Sequence, residues 1–150
     1  MAEEYVLDES LFPLILAINP QVPTLPALDA YLQRVEQLYA RKSRILWLSC
    51  FHKTNKNDNA VNQRLGEWVK ANKSLTKGLN CGIAFHSQSR VFNFILSAIF
   101  LVQPVDAPYK SGANLADLCR FLGMQAETQQ ISLPSGWEES VVAWVAAHLH

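Results

Sequence analysis

Eight consecutive residues, Arg44 to Phe51 (RILWLSCF), constrain the fold of this chain more than any others. The run is apolar and β-prone, short for a helix, and reads as a central strand covered on both faces. Such a strand needs neighbours at its edges and helices above and below. The flanking sequence supplies both. Tyr5 to Asp8 and Pro13 to Ile18 read as two earlier short strands, and Asn19-Pro20 and Pro23 break the pattern after them. Beyond a Thr24 N-cap, Leu28, Tyr31, Leu32, Val35, Leu38 and Tyr39 recur at helical spacing to about Arg41.

Past the central run the alternation continues. A polar stretch, His52 to Asn57, leads into a helix capped by Asn57 or Asp58, with Val61, Leu65, Trp68, Val69 and Leu75 as its apolar stripe. Leu79 to His86 is another strand, placed after Gly78 at a helix end. Ser87 or Ser89 caps a helix over Arg90 to Gln103, and Tyr109 to Ser111 gives a short edge strand. Asn114 opens a helix carrying Leu115, Leu118, Cys119 and Leu122, with Gly123 as its stop. Met124 to Pro134 reads as a loop. Ser135 to Glu138 has the form of a capping box for a last helix bearing Trp137, Val141, Val142, Trp144, Val145 and Leu149.

The expected class is therefore α/β: one domain, a mostly parallel sheet of four to five strands with helices packed on it, and an extra C-terminal helix. The first two strands are expected as an antiparallel addition at one edge. At 150 residues, 49% apolar and 17% charged, the composition excludes disorder and fibrous repeats. No signal peptide is expected from the acidic start, and the longest apolar run, Val91 to Val102, is too short to cross a bilayer. Three cysteines without a CxxC pair fit reduced thiols in a cytoplasmic protein.

The segment from about Leu14 to Leu122 resembles the STAS/SpoIIAA-like superfamily of anti-sigma factor antagonists, and within it the small bacterial STAS/SEC14-type proteins. The likeness rests on the early strand, the helix with Tyr31 and Leu32, and Arg44 to Phe51. It continues through Asn57-Asp58-Asn59-Ala60-Val61 with Arg64, Leu65 and Trp68, then Cys81-Gly82-Ile83-Ala84-Phe85, Ser97-Ala98-Ile99-Phe100-Leu101 and Leu118-Cys119-Arg120-Phe121-Leu122. The resemblance implies a STAS-like unit over residues 1–123, with 124–150 as a loop and helix packed on it. It also implies a non-enzymatic module that docks a protein partner near the start of the helix after the central strand. Sigma-factor regulators carry a phosphorylatable serine there; the matching stretch here, Asp58 to Val61, has no hydroxyl.

Two features stand above background. From Arg41 to Lys77 nine cations (Arg41, Lys42, Arg44, Lys53, Lys56, Arg64, Lys70, Lys73, Lys77) stand against Asp58 and Glu67. That is +7 in 37 residues, so the remainder of this neutral chain carries −7. This is either a solvated helix surface or a docking face for an acidic protein, with Lys53, Thr54, Asn55, Lys56, Asp58, Asn59, Asn62 and Arg64 as the candidate contacts. No aromatic RNA-binding motif accompanies the cations, which disfavours nucleic acid.

The second feature is the helix expected over Arg90 to Gln103, where Arg90, Asn93 and Ser97 form a narrow polar stripe and the rest is apolar. One sheet cannot cover such a helix, and leaving two large side chains in water forgoes roughly 3–6 kcal/mol. Phe92, Ile95, Leu96, Ile99 and Phe100 are thus expected to meet the C-terminal helix, a second subunit in a homodimer, or a lipid or other apolar ligand. Cys50, His52 and His86 have types suited to zinc or a thiol–imidazole pair, but their spacing matches no metal loop. No nucleophile elbow, zincin helix, P-loop or dinucleotide fingerprint occurs. The sequence therefore points to binding without catalysis, cofactor or metal.

Overall fold

The structure, a computed structural model, describes residues 4–54, 56, 58–93, 96 and 107–149. Five strands form one sheet in chain order: β1 (Val6–Leu11), β2 (Leu14–Asn19), β3 (Ile45–Phe51), β4 (Asn80–His86) and β5 (Tyr109–Gly112). β1 runs antiparallel to β2, while β2 to β5 are mutually parallel. The expected class, with its antiparallel edge strand, is what the chain adopts.

Between β2 and β3 lies α1 (Leu25–Ala40), which Thr24 caps by accepting from the Ala27 amide. Asp58 caps α2 (Asn59–Ala71) in the same way through Val61. A single turn, α3 (Lys73–Thr76), then leads to β4. α4 (Leu115–Thr128) comes after β5, and α5 (Trp137–His148) ends the described chain. Strand alternation divides the core in two. Ile15, Ala17, Ile45 and Trp47 face α1 and α2, meeting Leu28, Leu32, Val35, Val61 and Trp68. Leu14, Leu16, Leu46, Leu48 and Cys50 face the other way, onto Leu118, Cys119 and Leu122 of α4 and Val141 and Val145 of α5. β2 and β3 are therefore covered on both sides, each fully buried leucine contributing ~1.5–3 kcal/mol.

Three local expectations give way. Gly123 does not stop α4, which continues to Thr128; the chain turns at Gln130, whose φ is 57°. The glycine instead sits in mid-helix beside the Trp137 ring, where a Cβ would make ordinary contact at 3.5 Å. The segment read as a loop thus begins as helix. The Ser135 to Glu138 capping box does not form, because Gly136 adopts a left-handed φ of 73° and becomes the N-cap itself, with no side-chain cap. On α2, Leu65 and Val69 face solvent at 40% and 51% exposure, and the buried stripe narrows to Val61 and Trp68. Of the helix expected over Arg90 to Gln103, residues 94, 95 and 97–103 lie outside the described residues; the Phe92 ring meets Phe51 at 4.6 Å.

Candidate functional site

All four parallel strands end at the same edge of the sheet. The loops leaving that edge at β2 and β3 hold the candidate contacts. Asn19, the last residue of β2, donates through Nδ2 to Ser49 Oγ (2.9 Å) and to the Cys50 carbonyl (3.0 Å). Two residues on, the Gln21 side-chain amide donates to the Thr54 hydroxyl, and the Gln21 carbonyl accepts from the Lys56 amide at 2.8 Å. Asp58 Oδ1 then accepts from Val61 N at 3.0 Å and starts α2. The described residues Thr54, Lys56 and Asp58 of the β3–α2 segment are thus each held in place.

Around this frame Lys53, Thr54, Lys56, Asp58, Asn59 and Asn62 are exposed and Arg64 is half-buried. Asn55 lies outside the described residues. Arg64 Nε pairs with Asp29 Oδ1 of α1 at 3.1 Å, so it braces α2 against α1. Sequence reasoning found this loop but missed Asn19, Gln21 and Ser49, which hold it. Short polar residues at strand ends are the only signal they give.

The cations of the Arg41 to Lys77 stretch do not gather into one patch. Arg41 pairs with Glu9 of β1 and lies over the Phe12 ring, and Arg44 donates to the Gln129 carbonyl at 2.9 Å. Lys53 and Lys56 precede α2, whereas Lys70 sits near its end and Lys73 and Lys77 beyond it. A helix rise of ~1.5 Å per residue puts about 18 Å between Asp58 and Lys70. The charge marks two ends of one helix.

Ile18, Cys50, His86 and Gly112 form one row across the sheet near the carboxyl edge, so Cys50 and His86 share the α4 face. His52 lies one residue past β3, half-buried. Burial pushes the Cys50 thiol up to about 12, with Cys119 adding to it, and the Cys119 thiol up to about 11, with Glu138 adding to it. Both stay protonated and poorly nucleophilic at neutral pH. Burial pushes His86 down, against a backbone hydrogen bond to Gly112, and keeps the ring neutral. Among the described residues no three His, Cys, Asp or Glu side chains converge to hold a metal ion.

At the end of β4, Ser89 Oγ accepts from Phe92 N at 3.1 Å and caps the helical residues 90–93. Phe92 and Leu96 are half-buried; Ile95, Ile99 and Phe100 lie outside the described residues. No described helix is long and apolar enough to cross a membrane. No protein-family model, curated protein or solved structure matches this chain.

Proposed function

We propose that this chain is a non-enzymatic, cytoplasmic binding module that docks another protein at the carboxyl edge of its sheet, through Lys53, Thr54, Lys56, Asp58, Asn59 and Asn62. The observation that carries the reading is the way the β3–α2 segment is held. Its described residues present exposed polar side chains, tied to Gln21 at Thr54 and Lys56 and to the α2 start by the Asp58 cap. Residues already held in place surrender little entropy on docking, so more of their contact energy appears as affinity.

The ionisable groups nearby support binding over chemistry. Asp58 is engaged as a cap, Arg64 is paired with Asp29, and the Cys50 and Cys119 thiols are buried in protonated form. Three buried, unbridged cysteines fit a reducing compartment. The reading also accords with the resemblance to STAS regulators, whose partners dock beside the corresponding helix start. The Thr54 hydroxyl, the nearest candidate for a phosphorylation switch, is held by Gln21.

Affinity capture from native lysate tests the proposal, comparing the wild-type chain with K53E/K56E. Both lysines are exposed, so the variant should keep its thermal midpoint. The partner retained by the wild type should be lost from the variant by at least ~10-fold, and lost from both at high salt. Equal retention by the two proteins contradicts the assignment.

A further inference from the structure

Two exposed apolar surfaces lie on opposite faces of the sheet, and each has what the other lacks. On α2, Leu65 and Val69 stand at i and i+4, with Lys70 in its last turn and Lys73 and Lys77 past its Asn72 cap. This ridge is apolar at its centre and basic at its end. Across the molecule, α4 and α5 flank an open groove of about 610 Å³ whose floor includes Cys119, Gly123 and Trp137. Met124, 61% exposed, and Val142, 53% exposed, form its apolar lips. Glu127, Glu138 and Glu139 also line it, against a single lining cation, Arg120, which already pairs with Asp117 at 2.9 Å.

We infer that the α4–α5 groove receives the α2 ridge of a second copy of this chain, so that copies associate head to tail. Leu65 and Val69 would meet Met124 and Val142, while Lys70 and Lys73 face the glutamates. Charge specifies this occupant: an apolar ridge ending in lysines complements an apolar-lipped groove lined by carboxylates. Because α2 packs on one face of the sheet and α4 and α5 on the other, a chain cannot satisfy both surfaces with one partner. A two-fold dimer cannot seat ridge in groove on both copies at once. The interface is heterologous, and association proceeds to rings or open filaments. The loop before α2 lies at the other end of that helix, so self-association and the docking site proposed above stand or fall separately.

Sedimentation and light scattering across a concentration series read the result. For the wild type, the average mass should climb from 16.9 kDa past the dimer with concentration, and fall back at high salt. L65E/V69E and M124E/V142E each destroy one surface, and each should remain monomeric. Mixed, they should form a one-to-one dimer that grows no further, since each contributes its single intact surface. As a second pair leaving the apolar side chains untouched, K70E/K73E and E127K/E138K should each be monomeric alone and associate when mixed. A wild type that stays monomeric at every concentration overturns the inference. So does association that M124E/V142E abolishes and L65E/V69E leaves intact, which would mean that the groove pairs with itself.

Discussion

At His86 an imidazole is only 2% exposed, and its Nδ1 has no hydrogen-bond partner among the described residues. Burial holds its pKa below the ordinary 6.5, so the folded chain refuses a proton that the unfolded chain accepts. The unfolded state then binds more protons, and stability rises with pH through that interval. Stability should accordingly be complete well above pH 6.5 and decline as the pH falls below it. Urea midpoints measured across the range from neutral to mildly acidic pH check this, with His86→Gln expected to flatten the slope. An equal slope in the variant contradicts the role given to His86. The thiols beside it reach neutrality from the other direction, since burial favours their protonated form. Residue types alone placed Cys50 and His86 together as a candidate reactive pair; burial, which no spacing rule reports, makes them core.

Among the elements, the strands were the most legible. Ile45–Phe51 and Leu14–Asn19 are continuous apolar runs because helices cover both their faces. Thr24, Asp58 and Asn114 could be read as caps because each has a short acceptor side chain at the first turn, and all three accept the expected amide. The stops and starts around glycine could not be read so directly. Gly123 looks like a terminus in sequence, yet it lies in mid-helix beside the Trp137 ring, a contact from a different helix. The two readings predict opposite signs for Gly123→Ala. In mid-helix, with ordinary van der Waals room at 3.5 Å, alanine should stabilise by ~0.5–1 kcal/mol and raise the thermal midpoint. A left-handed terminal glycine would make the same change destabilising. Leu65 and Val69 exceeded what periodicity can decide, because helical spacing gives a stripe but not its buried width.

Across the whole chain, sequence arithmetic showed that charge is segregated, and the fold determines where it goes. The basic stretch divides between the two ends of α2, and its arginines serve internal bracing. The β3–α2 loop was legible because a polar stretch between a buried strand and a capped helix must be a surface loop. Its tie to Gln21 was not, because Gln21 and Thr54 are 33 residues apart and no local pattern couples them. Whether this edge, at Asn59 and its neighbours, meets another protein is best read by site-specific photo-crosslinking in native lysate. A photoreactive residue is placed at Asn59 and, as a control, at Glu127 in the α4–α5 groove. Position 59 should crosslink to a different protein, and position 127 to other copies of this chain. Adducts to the same set of proteins from both positions, or self-crosslinks alone from position 59, would contradict docking at the carboxyl edge.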